Sequence, residues 1–220
     1  MTASQWIRRV GKPLVFAACL FPFAMIVADI FLGRLSANPI EDITHRTGDW
    51  ILILLFVTLS VTPLRALTGW GALVQLRRMI GLFAFFYAVL HFSTYVVFDH
   101  FFDFAEIVVD ITQRPYITVG FTSFVLLTPL AVTSTKGWVK RLGGKRWTKL
   151  HRLIYVAAAG GVLHFLWLVK ADLRKPTIFG VVLIVLLATR LRRKGRKRVA
   201  GRPVRGTAID DPAAERATAS

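Results

Sequence analysis

Six apolar runs separated by charged segments account for most of this 220-residue sequence, at residues 13–32, 50–67, 79–98, 116–133, 152–169 and 176–190. About 20 apolar residues in a helix cross a hydrocarbon core, so the runs predict an all-α integral membrane protein built as a six-transmembrane-helix bundle. The second, fourth and sixth runs are short, and the sixth is bounded by Lys175 and Arg190. Trp6, Trp50, Trp70, Trp138, Trp147 and Trp167 fall at or near run ends, where an amphipathic ring prefers the membrane interface. Pro13 and Pro22 are compatible with the first run, because neighbouring helices can re-satisfy the backbone that proline frees. Arg8-Arg9 before the first run, with Ser36-Ala37-Asn38 after it, imitates a secretory signal. The run is long for a signal core, and it is read as an uncleaved first helix.

Composition alone is ambiguous. Hydrophobic residues make up 55% and charged residues 19%, which fits a membrane protein, yet 29 Lys+Arg against 12 Asp+Glu also fits a nucleic-acid binder. The placement of the charges separates the two. The N-terminus, second and fourth loops and C-terminus carry 23 of the basic residues, and the first, third and fifth loops carry 6. By the positive-inside rule both termini are cytoplasmic. Most acids, among them Asp29, Asp49, Asp99 and Asp110, lie in or near the outward loops. The expected organisation is a cytoplasmic N-terminus at 1–12, a membrane domain at 13–190 and a basic, disordered tail at 191–220. That tail reads as an anchor on anionic lipid, with no nucleic-acid motif. Cys19, the only cysteine, excludes an intrachain disulfide and a cysteine-ligated iron–sulfur site.

Ionisable side chains inside membrane spans are costly and mark function by default. Of the five histidines, two lie deep in runs. His91 follows Arg78 by 13 residues and His164 follows Arg152 by 12, so each sits roughly 18–20 Å above the cytoplasmic end of its helix. The third and fifth helices run in the same direction, so the two imidazoles reach equal depth, as axial ligands of one b-type haem must. Two unrelated interhelical hydrogen bonds are the other reading of such a pair. His151 stands 13 residues before His164, about 19.5 Å along a helix axis, but about 140° away around it. It is therefore placed for an inner haem, a flavin or quinone contact, or an interfacial role. Arg77 occupies the position where a partner for an inner haem would share the face of His91. His45 and His100 read as solvated loop residues that could dock a partner or a quinone head group. Arg77, Arg78 and Arg152, with Arg146, suit topology or the compensation of haem propionates or a flavin phosphate. Gly81, Gly160 and Gly161 would admit a macrocycle or a neighbouring helix at close range.

This arrangement, with His91 in the third helix and His151 and His164 thirteen apart in the fifth, resembles the ferric reductase-like transmembrane superfamily. Over residues 5–192 the chain is similar, within it, to the MsrQ family of haem-binding subunits of bacterial protein-methionine-sulfoxide reductases. The likeness is carried by Arg8-Arg9, Lys12-Pro13, Thr62-Pro63-Leu64-Arg65, Arg77-Arg78-Met79-Ile80-Gly81-Leu82, Tyr87 through His91, and Trp147-Thr148-Lys149-Leu150-His151-Arg152-Leu153. The resemblance implies an inner-membrane haem b protein, with FMN associated, that accepts electrons from the quinol pool or a cytosolic flavin reductase. It implies delivery to MsrP, a periplasmic molybdopterin enzyme acting on methionine sulfoxide. His91 and His164 correspond to the outer haem ligands and His151 to the inner fifth-helix ligand; the inner third-helix histidine is missing. Alternatives at this point are a ferric or other metal reductase subunit, and a transporter or assembly protein with structural histidines.

Overall fold

The computed structural model describes residues 2–169 and 172–200. The protein is all-helical, with no strand among the described residues. Its helices are α1 (Ala3–Phe31), α2 (Pro39–Thr68), α3 (Gly71–Asp99), α4 (Phe104–Gln113), α5 (Pro115–Val132), α6 (Lys136–Leu150), α7 (Leu153–Leu168) and α8 (Arg174–Ala200). Helices α1, α2, α3 and α5 are long and apolar enough to cross a membrane, and α6 with α7, bent by 42°, forms a fifth candidate. Helix α7 alone has 16 residues. Helix α8 holds an apolar stretch between Lys175 and Arg190 and then continues as helix to Ala200, past the expected boundary at 190. The rest of the tail, 201–220, lies outside the described residues.

Two segments read as loops are helices. Asp103 accepts a hydrogen bond from the Glu106 amide and so caps α4. Thr135 does the same for α6 through the Trp138 amide. Helix α6 is broken internally at Gly143, whose φ of 71° lies in the left-handed region open to glycine. Helix α2 begins with Asn38 as cap and Pro39 as first residue, and ends at Gly69 with φ 73°.

Pro22 removes a backbone donor inside α1, and a neighbouring helix supplies the repair. Tyr87 of α3 is fully buried. Its hydroxyl donates to the Cys19 carbonyl at 2.8 Å and accepts from the Phe23 amide at 2.9 Å, bridging the ladder around the proline. Lipid offers no competing partner, so this bridge ties α1 to α3 as well as completing the helix.

The most extensive interfaces are α2 against α3 and α5 against α7. Small residues make them close: Ala84 and Ala88 on α3, and Ala157, Ala158 and Gly160 on α7. A Cβ on Gly160 would collide with the Ser123 hydroxyl of α5, and one on Gly81 would only touch the Thr58 methyl at 3.6 Å. The apolar stretch of α8 is pinned at both of its ends. Lys175 pairs with Asp49 of α2 at 3.1 Å. At the other end Arg190 donates to the Leu59 carbonyl at 2.7 Å and to the Tyr155 hydroxyl, and stacks over the Tyr155 ring.

Candidate functional site

The α2–α3 and α5–α7 pairs enclose a cavity of about 320 Å³. Its walls are mostly apolar, with Leu55, Phe92, Phe121 and Phe124 among them; His91 and His164 both line it, as do Asp49, Asp99, His100, Asp110 and Arg114. The two imidazoles face each other with ring centroids 6.2 Å apart and planes at 85°. Residues 73 apart in sequence thus meet because two helix pairs lie side by side.

Each histidine is held in the same way. His91 Nδ1 donates to the Thr44 carbonyl of α2 at 3.0 Å, with Thr47 Oγ1 at 3.4 Å. His164 Nδ1 donates to the Tyr116 carbonyl of α5 at 2.7 Å. A carbonyl can only accept, so the proton is assigned to Nδ1 and the neutral ring keeps its lone pair on Nε2. Four residues after each carbonyl stands a glycine, Gly48 after Thr44 and Gly120 after Tyr116. Residues i and i+4 share a helix face, so this glycine opens the notch through which the imidazole reaches the carbonyl. A Cβ on Gly120 would lie 2.7 Å from His164 Nδ1, and one on Gly48 would lie 3.3 Å from His91 Cε1. These glycines were missed in the sequence, where Gly81, Gly160 and Gly161 drew attention. Gly160 and Gly81 serve helix packing, whereas Gly161 lines the cavity. The legible signal was a glycine four residues after a candidate acceptor, which means little until the opposing histidine is known.

The remaining candidates lie elsewhere. His151 is the C-cap of α6, in the break before α7, so it does not continue the helix that carries His164. Its Nε2 is 3.1 Å from Thr133 Oγ1, its ring stacks on Trp147 at 3.9 Å, and it does not line the cavity. Arg77 is half-buried within electrostatic reach of His151, Arg190 and Tyr155, while Arg78, Arg146 and Arg152 are exposed. None of these four lines the cavity. His45 is exposed on α2 rather than in a loop, at the cavity rim.

His100 corrects the reading of a solvated loop residue: its side chain is 9% exposed. The π-helical end of α3 and the α4 cap fold it inward against Tyr95, ring centroids 4.5 Å apart. Asp110 of α4, also 9% exposed, organises this cluster. It accepts from Tyr95 at 2.9 Å and from Arg114 Nε at 2.7 Å, with His100 Nε2 at 3.4 Å. Arg114, between α4 and α5, has its pKa raised by the Tyr116 hydroxyl and then by the Asp110 carboxylate. Among the described residues no group of three or more His, Cys, Asp or Glu is arranged to hold a metal by itself.

A helical membrane bundle that presents two facing imidazoles in an apolar cavity defines a class, and comparison with known proteins agrees with it. The family described as "Ferric reductase like transmembrane component" matches residues 47–162, ending two residues before His164. A Herminiimonas arsenicoxydans protein is 54% identical over 89% of this chain and 91% of its own length. One from Rhodospirillum rubrum is 53% identical over 88% and 93%, and one from Bordetella pertussis is 49% identical over 89% and 96%. All three are named "Protein-methionine-sulfoxide reductase heme-binding subunit MsrQ". The chain belongs to the ferric reductase-like transmembrane family and, within it, to the MsrQ group.

Proposed function

We propose that the chain is a haem b electron conduit whose axial ligands are His91 and His164, serving a catalytic subunit that reduces methionine sulfoxide in proteins. The observation that carries the reading is the 6.2 Å imidazole pair with both Nδ1 atoms tied to backbone carbonyls. Two imidazoles bonded to opposite sides of one metal ion at about 2 Å through a ring nitrogen have centroids roughly 6 Å apart. A backbone carbonyl on the second ring nitrogen is the usual partner of a metal-ligating histidine, fixing its tautomer and orientation. The apolar walls suit a macrocycle that brings its own equatorial nitrogens. A haem held there by His91 and His164 would supply one-electron transfer.

The chain's own residues orient and insulate that group. Thr44 and Tyr116 hold the imidazoles through their carbonyls, Gly48 and Gly120 admit them, and Phe92, Phe121 and Phe124 exclude water. Helix α7 and the apolar part of α8 complete six crossings in the bacterial inner membrane, with residues 1–12 and the basic tail in the cytoplasm. Electrons enter from the quinol pool or a cytosolic flavin reductase and leave outward to a periplasmic molybdopterin enzyme of the MsrP type. His151 together with Arg77, Arg78 and Arg152 belongs to an inner cofactor station, for a second haem or FMN.

The test is a reduced-minus-oxidised spectrum with haemochrome quantitation on wild type, His91→Ala, His164→Ala and His151→Ala. A b-type spectrum lost in the first two variants supports the pair, and the wild-type stoichiometry reads the inner station. Haem-free wild type after expression with ample haem would sink the conduit and leave structural histidines as the explanation.

A further inference from the structure

Helix α6 is built unlike the rest of the bundle. None of its residues, Lys136–Leu150, is buried, and it takes no part in the extensive helix–helix interfaces. A helix of this length is marginal in water by itself, because packing of an apolar face supplies most helical stability in proteins. Its sequence weakens it further. Gly143 leaves helical geometry, and Gly144 beside it is a poor helix former. Lys136 with Lys140, and Lys145 with Lys149, set like charges four residues apart. The helix therefore needs a surface that the chain does not provide.

Its side chains indicate the chemistry of that surface. Lys136, Lys140, Arg141, Lys145, Arg146 and Lys149 are all exposed, and among the described residues none of them is in an ion pair. No Asp or Glu occurs between residues 111 and 171, so the local charge is wholly positive. Each half of the helix also has an apolar side. Trp138 and Leu142, four apart, share a face that lies roughly 120–160° around the axis from Lys136 and Lys140. Trp147 is likewise set opposite Lys145 and Lys149. Its Nε1 donates to the Thr133 carbonyl at 2.9 Å, which ties this side to the end of α5 and leaves the lysines outward. Trp138 is half-buried, with the Arg141 guanidinium 5.6 Å from its ring centroid. Six cations cannot enter hydrocarbon cheaply, so α6 does not extend the crossing made by α7. A helix with Lys and Arg on one side and Trp and Leu on the other rests in the membrane interface, and its cations attract anionic lipid.

We infer that α6 is an interfacial helix seated in the head-group layer, where its lysines and arginines bind anionic phospholipid. The inference rests on the membrane reading of the bundle and not on the haem. His151 caps α6 and stacks on Trp147, so the lipid that orders α6 also fixes His151 against Thr133.

The test is hydrogen exchange, read by mass spectrometry, on the full haem-loaded chain in nanodiscs of phosphatidylcholine alone or of phosphatidylcholine with phosphatidylglycerol. Peptides within 136–150 should exchange about tenfold more slowly in the anionic discs, the worth of one or two basic residues at an anionic surface. Roughly 0.5 M salt should cancel most of that difference, and peptides of α3 should show none. Lys140→Gln, Lys145→Gln and Lys149→Gln combined should abolish it, whereas Arg at the same three positions should keep it. The same loss of charge in the tail, Arg192→Gln, Arg193→Gln and Lys194→Gln, should leave it intact. Equal exchange of α6 in both discs refutes the inference, as does a slowing that survives in the triple Gln variant of α6. Slowing that appears only when a cytosolic extract is added, alike in both discs, also overturns it and gives this face to a soluble protein. Should the chain take up no haem, the conduit proposal fails, and the same comparison on the haem-free chain still decides this one.

Discussion

Gly120→Ala tests how the imidazole pair is built. The added methyl carbon would lie 2.7, 3.0 and 3.1 Å from Nδ1, Cε1 and Cγ of His164. Carbon contacts are comfortable at about 3.5 Å, so the ring must recede by about 0.8 Å or the helices must part by a similar amount. Retreat along that direction breaks the 2.7 Å bond to the Tyr116 carbonyl, the only hydrogen bond described for this ring. Loss of such an orienting partner typically costs 10–100-fold in affinity for the bound metal group. Gly48→Ala is the milder case: its Cβ would meet His91 Cε1 at 3.3 Å, which a shift of a few tenths of an ångström relieves. Gly81→Ala, 3.6 Å from the Thr58 methyl, is the control. The assay is haem titration of the apoprotein, followed by Soret absorbance, with circular dichroism to check helix content. The expected order of weakening is Gly120→Ala, then Gly48→Ala by about threefold or less, with Gly81→Ala unchanged. Wild-type haem affinity in Gly120→Ala, or an equal loss in Gly81→Ala, would refute the carbonyl–glycine notch as what orients the ligands.

Three further outcomes follow from the packing. Tyr87→Phe strands the Phe23 amide and the Cys19 carbonyl beside Pro22, and should destabilise the protein by about 1–3 kcal/mol; an unchanged melting temperature in detergent would remove Tyr87 as the repair of α1. Arg190→Ala leaves the Leu59 carbonyl without its charged donor and Tyr155 without its cation, a loss of about 2–3 kcal/mol. Arg190→Lys should recover little of it, since one ammonium does not reproduce the guanidinium fork, and a fully stable Lys variant argues against the clamp. Thr133→Val removes the hydroxyl from His151 but touches nothing in the cavity, so the spectrum of a haem bound at His91 and His164 should not change; a shift in it would place His151 in that site.

How far the sequence could be read depended on what each residue needed from elsewhere. The apolar runs around residues 13–32, 50–67, 79–98 and 116–133 announced α1, α2, α3 and α5, because burial in lipid requires a local, continuous pattern. Helices α4 and α6 were hidden. Both are short or basic, and their caps at Asp103 and Thr135 are ordinary loop residues until a helix follows them. The likeness of His91 to His164 in depth was legible by counting along two helices. Their approach to 6.2 Å was not, since counting gives height but neither rotation nor the distance between axes. His151 shows the limit of that arithmetic, which assumed a straight helix where the chain bends by 42°. His100 shows another: its burial comes from Asp110 and Tyr95 folding over it, contacts that no local pattern records.

By itself the sequence determined the solvent this protein folds in, the helices that lipid demands and the two histidines that lipid would otherwise exclude. Those follow from one-dimensional quantities, the length of apolar runs and the positions of charges between them. Tertiary structure alone decided that Thr44 and Tyr116 lend their carbonyls, that Gly48 and Gly120 open the way to them, and that Tyr87 mends the break at Pro22. Each of those depends on which faces of separate helices meet. In a bilayer that choice is made by close packing and by the need to satisfy every buried polar group, and both are properties of pairs of helices.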